Sequence, residues 1–152
     1  MEKVALKKEI FEAALKAQTE IVQDFQSRID ELKVSDKESA NDQHDSGEQS
    51  MHSQVDERIS MLTDQLQVVK EELEKLERID SSLIHDVVHL GSVVVTNIER
   101  FFVSVSIERF KVGKVDYFGV STLAPIYKAL EGKKAGDSAD LNGNLFEIKE
   151  VL

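Results

Sequence analysis

The hydrophobic positions of residues 55–80 recur at an alternating spacing. Val55, Ile59, Leu62, Leu66, Val69, Leu73 and Leu76 step by 4, 3, 4, 3, 4 and 3. That is a heptad seam, the pattern that keeps one stripe of an α-helix turned toward a partner helix. Glu, Lys, Gln and Asp fill the intervening positions, and "KEELEKLER" adds opposite charges at helical spacing. Residues 3–33 carry a looser seam, in which Ile10, Ala14, Ala17, Ile21, Phe25, Ile29 and Leu32 step by 4, 3, 4, 4, 4 and 3. Neither stretch contains Gly or Pro. Two helices with matching seams, joined by a connector over 34–54, predict an antiparallel coiled-coil hairpin in which each seam buries the other. A helix of ~30 residues is about 45 Å long. After Val34 the connector has only Ala40 and Met51 as nonpolar side chains, so it reads as a polar loop whose outer parts extend the helices by a turn.

After Asp80 the period changes. "GSVVVTNI" and "RFFVSVSI" are rich in β-branched and aromatic residues and flank Asn97-Ile98-Glu99, as two strands around a turn would. "KVDYFGVS" reads as a third strand. "LAPIYKALEGK" reads as a short helix with Pro125 near its start and Gly132 at its end. "DSADLNGNLFEIKEV" reads as a hairpin around Asn142-Gly143, a two-residue turn signal. The predicted fold class is α+β. Residues 1–80 form the antiparallel coiled-coil hairpin with a tip around 35–54, and residues 81–152 form a small, mostly antiparallel β domain with one short helix.

Charge changes the picture at one place. The net charge of the 152 residues is −10, which argues against broad nucleic-acid binding and against independent sequence-specific DNA binding. Residues 36–60 hold seven acids against Lys37 and Arg58, whereas residues 81–152 hold nine acids and eight bases. Half of the excess therefore sits around the connector, densest in "NDQHDSGE" at 41–48. The absence of cysteine excludes a disulfide scaffold, a thiolate zinc site and a thiol nucleophile. No apolar run reaches the ~18 residues of a bilayer span, and "MEKVALKKEIFEAALK" lacks the apolar core of a secretory signal. A cytoplasmic location without membrane contact is the expectation.

The β region carries a family resemblance. "LGSVVVTN" is similar to the opening Gly-x-x-Val-x-Val strand of the Gre family of bacterial transcript-cleavage factors. "GVSTLAPIYKALEGKKAGD" resembles that family's Ile-Ser-x-x-Ser-Pro-Ile-x-x-x-Leu-x-Gly-Lys-x-x-Gly-Asp signature, with one extra residue before Pro125, and "FEIKEV" resembles its closing strand. The resemblance covers the whole architecture and is strongest over 90–152. It implies an FKBP-like fold for 81–152 and places the working motif, Gly-Asp-x-x-Glu-Asn-Ala-Glu-Tyr, at the hairpin tip. Two registers align. In one, Asp42 matches the Asp, Asp45 replaces the first Glu, Gly47 the Ala, and Glu48 matches the second Glu. In the other, Asp45 and Glu48 form the Asp-x-x-Glu pair. The first matches more positions. Asn41, Ser46 and Gln49 depart from the motif's Gly, Asn and Tyr.

The resemblance implies a partner and a role. RNA polymerase would admit the tip through its secondary channel to the 3′ end of backtracked nascent RNA. The tip acids Asp42, Asp45 and Glu48 would act there, with Asp42 and Asp45 holding a Mg²⁺ shared with the polymerase active site. Mg²⁺ is a hard ion that keeps several waters and needs only one or two protein carboxylates. The protein would then be a cofactor for the polymerase's own RNA hydrolysis rather than an enzyme. Related factors of the same architecture inhibit polymerase, which is the second reading. The third, of another class, is a coiled-coil adaptor or chaperone-like protein in which the acids merely solubilise a turn. His85 and His89 stand four apart in "HDVVH", but a zincin pair needs a helix and a Glu beside the first His, and neither is expected here. His44 and His52 flank the tip as surface histidines. Without Trp, and with its aromatics in strand patterns, the β domain reads as a docking surface rather than a prolyl isomerase.

Overall fold

The computed structural model describes residues 2–42 and 46–152, with side chains described outside 36–52. Two long helices come first, α1 (Glu2–Asp42) and α2 (Ser46–Glu77). Six strands and a short helix follow: β1 (Val93–Thr96), β2 (Arg100–Val103), β3 (Ile107–Val112), β4 (Val115–Val120), α3 (Pro125–Leu130), β5 (Ser138–Leu141) and β6 (Asn144–Val151). The class is α+β, as the change of hydrophobic period implies. The polar loop expected over 34–54 is instead mostly helical backbone. The physical reason is local: residues 34–42 hold no Gly or Pro, and Lys37, Glu38 and Ala40 favour helix, so nothing stops α1 where its apolar seam ends.

The chain folds into two compact units. One comprises Gln18–Glu72; the other comprises Met1–Ala17 together with Leu73–Leu152. In the first, the heptad seam behaves as its spacing predicts. Leu66 is buried and Val55, Ile59, Leu62 and Val69 are half-buried, while most positions between them are exposed. On the facing helix Ile29 is buried and Ile21, Phe25 and Leu32 are half-buried. Gln18 lies in this seam fully buried, and its Nε2 donates to the Val69 carbonyl at 2.9 Å. That bond sets the register. Gln18 faces Val69, and Asp42 and Ser46 close the other end, so the helices run antiparallel without a slip.

The second unit is built on a sheet of order β3-β4-β2-β1-β6-β5. All pairs are antiparallel except β2 with β4. Both faces are covered, which is why β1 and β2 read as continuous apolar runs rather than alternating ones. One face packs Val93, Phe102, Phe110 and Tyr117 against Ile10 and Ala14 of α1 and Leu76 of α2. The other packs Val94, Phe101, Phe146 and Ile148 against Tyr127 and Leu130 of α3. The first turns of α1 and the last turn of α2 thus belong to the core of the β region.

The single strand expected over "RFFVSVSI" is two strands. β2 ends at Val103, the Ser104 N–H donates to the Val120 carbonyl at 2.8 Å, and β3 begins at Ile107. Because β2 and β3 flank β4 on opposite sides, the chain crosses the end of β4 within Ser104–Ser106. It passes directly over Gly119, where an added Cβ would lie 2.5 Å from the Val105 carbonyl oxygen. The β5–β6 hairpin turns on Asn142 and Gly143, both at positive φ (53° and 82°), as the Asn-Gly signal predicts. Pro125 opens α3 at its first turn, and Gly132 follows it at φ 78°.

Candidate functional site

The connection between α1 and α2 lies within a stretch, residues 36–60, that carries half of the chain's net negative charge, and it joins the two helices at one end of the pair. Asp42 is the last residue of α1, and Glu48 lies in the first turn of α2. Asp45 lies outside the described residues, as do the side chains of Asp42 and Glu48. His44 and the side chain of His52 lie outside them too. From Gln18 to Asp42 α1 runs 24 residues, about 36 Å at 1.5 Å per residue, and from the facing Val69 back to Ser46 α2 runs 23. Nearly equal arms and an unslipped register bring Asp42 and Ser46 to the same end of the pair. Seven acids between 36 and 60 against two cations make the potential there strongly negative. Carboxylate oxygens are hard donors, the kind that Mg²⁺ takes together with water.

No family model matches the chain, and no characterised protein matches it by sequence. A solved structure described as that of the transcription factor Gfh1 matches with 24% identity over 91% of this chain and 93% of that chain, at a TM-score of 0.30.

Outside the connection, the histidine pair has a local role that its spacing did not reveal. His85 and His89 pack edge to face with ring centroids 4.1 Å apart. His89 Nδ1 lies 3.1 Å from the Leu90 carbonyl oxygen. Burial first, then the neighbouring Lys7 ammonium and His89, hold the His85 imidazole down at about 4. Beside them Lys7 is fully buried and donates through Nζ to the Leu83 carbonyl oxygen. Burial pushes its amine down to about 8, against the opposing pull of Asp80. Among the described residues no three His, Cys, Asp or Glu side chains gather into a metal-binding group. No helix among them is long and apolar enough to cross a membrane.

Two features escaped the sequence reading. Lys7 stands seven residues before Ala14 and Gln18 four after it, so both occupy seam positions. A polar residue at an apolar period was the available signal. The second is the grouping of Arg109 and Lys111 of β3 around the Asp116 carboxylate of β4, at 3.9 and 3.5 Å. These residues come from separate segments that only the sheet brings together, and no spacing in the chain announces them.

Proposed function

We propose that this protein is a transcription elongation factor that binds RNA polymerase and presents the α1–α2 connection to its active centre through the secondary channel. The reading rests on the resemblance of the β region to the Gre family. The observation that carries it is the placement of the acidic connection at the closed end of a helix pair about 36 Å long. Asp42, Asp45 and Glu48 are the acids brought there. Asp42 and Asp45 supply carboxylates to a Mg²⁺ completed by the polymerase's own acids. When bound, that ion would activate a water for attack on the RNA phosphodiester. The α1–α2 pair holds the carboxylates on two rigid arms, and the β domain serves as the docking body. The protein is accordingly a cofactor for hydrolysis performed by the polymerase.

The test is RNA release from a stalled, backtracked elongation complex, comparing wild type with Asp42→Ala, Asp45→Ala and Glu48→Ala. Loss in the first two with Glu48→Ala active assigns the Asp42/Asp45 pair. Loss in the last two with Asp42→Ala active assigns Asp45/Glu48. Loss on removing a metal-holding carboxylate should be at least ~100-fold, the scale of an electrostatic stabiliser in a catalytic centre. Elongation blocked without cleavage would make the protein an inhibitor using the same route, a reading that the departures at Asn41, Ser46 and Gln49 favour. No capture of core polymerase at low salt would leave the coiled-coil adaptor reading.

A further inference from the structure

The sheet of order β3-β4-β2-β1-β6-β5 ends in two edges. An edge strand leaves a row of backbone N–H and C=O groups without a strand partner, and that row is a template for pairing with another chain. β5 is four residues long, whereas β3 has six. β3 is also built from residues that suit a sheet, with Ile107, Phe110 and Val112 turned toward the core. It is therefore the edge through which two copies of the chain would pair most extensively.

Two features of β3 stand against such pairing. The first is an extra residue. Ile107 faces Gly119 and Phe110 faces Tyr117, so three steps along β3 match two along β4. Glu108 and Arg109 together oppose Phe118, which makes a β-bulge. The bulge is why Ile107 and Phe110, three residues apart, enter the same buried cluster. Glu108 and Arg109 are both left exposed. A bulge bends its strand and raises the local twist, so the outer backbone groups of β3 do not form the regular row that a second strand needs. The second feature is charge. The side chains of Arg109 and Lys111 are each 64% exposed. Both reach toward the one Asp116 carboxylate of β4, which sets them on the same face of the sheet.

We infer that the Glu108–Arg109 bulge and the Arg109 and Lys111 cations guard the β3 edge, keeping two copies of this chain from joining through β3 into one continuous sheet. A second β3 laid along this edge would crowd the Arg109 and Lys111 side chains of both copies on one face and strip water from them. It would also have to follow a backbone row that the bulge interrupts. The guard leaves the core intact, because Ile107 and Phe110 still fill the buried face. The inference rests on the β region alone and is independent of polymerase binding and of the acids at the α1–α2 connection.

The test compares the full chain with two variants by analytical ultracentrifugation and backbone amide exchange. The first variant combines Arg109→Thr, Lys111→Thr and Asp116→Thr, the last removing a carboxylate that would otherwise lose its cations. The second adds deletion of Glu108, which restores strict alternation between Ile107 and Phe110. Wild type should sediment as a monomer. The first variant should dimerise at concentrations where wild type does not. The second should dimerise with a dissociation constant lower by about tenfold or more. In both dimers the β3 amides should gain protection. Circular dichroism and the melting temperature show whether each variant is folded, and the first decides alone if the deletion does not fold. Folded variants that stay monomeric would overturn the inference. So would a variant dimer whose β3 amides exchange as in wild type, since that dimer joins elsewhere. A wild-type dimer with protected β3 amides would overturn it as well, because the edge would then be an interface and not a guarded one.

Discussion

Lys7 occupies a position where the heptad period calls for an apolar side chain, and its burial has a consequence that pH can expose. The folded chain holds the amine at about 8, below its ordinary 10.5. Between those values the unfolded chain binds the extra proton and the folded chain does not, so stability from this group rises with pH across that window. Wild type should therefore gain on Lys7→Met as the pH is raised from 8 to 10, read from urea midpoints of the two proteins. His85, held at about 4, has the same sign in a lower window: its contribution falls as pH drops from 6.5 toward 4. Ring-proton titration by NMR should place its midpoint near 4. Gln18 is the second polar seam residue. Its Oε1 is buried without a hydrogen-bond partner, while its Nε2 serves Val69. Gln18→Leu removes the unsatisfied oxygen and should raise stability by about 1 kcal/mol, measured by urea unfolding. A loss instead would mean that the Gln18–Val69 bond is worth more than the orphaned oxygen costs.

Among the elements, the β2–β3 connection departs most from what the sequence pattern suggests, and Gly119 explains how it fits. The crossing backbone at Val105 and the Ile107 side chain both lie where a Cβ on residue 119 would stand. Since the nearest atom is a carbonyl oxygen of the backbone, relief requires the connection itself to move. Gly119→Ala should cost about 1–3 kcal/mol, the usual range for overpacking a filled site, seen as a lower thermal midpoint. The run "RFFVSVSI" hides this break because its apolar and small residues continue without Gly or Pro from β2 through the connection to Ile107, the first residue of β3. β propensity reports that a residue suits a sheet, and it does not say beside which strand it will lie. The Asn142-Gly143 turn was legible for the opposite reason. Its requirement for positive φ is met by a short local signal and needs no distant partner.

At the scale of the whole molecule, helix length is the quantity that the proposed function uses. Deleting Ile21–Ser27 together with Met61–Gln67 removes seven residues from each arm, preserves the pairing of the remaining seam, and shortens the helix pair by about 10 Å. Transcript cleavage should be lost while capture of core polymerase persists. Retained cleavage would show that the length of the pair is not what positions the acids. Circular dichroism separates a shortened helix pair from an unfolded one.

The sequence by itself determined the two seams, the change to strand period after Asp80, the α3 boundaries, the Asn-Gly hairpin and the concentration of acids at 41–48. Each is written in spacings of a few residues, over which backbone geometry dictates which side chains share a face. Tertiary structure decided the rest. It drew Ile10, Ala14 and Leu76 into the core of the β region, laid Val105 over Gly119, and buried Lys7 and Gln18. It also set Arg109 and Lys111 of β3 beside Asp116 of β4. These depend on which strand lies beside which, and that choice is made by packing between residues far apart in the chain, where no local period records it.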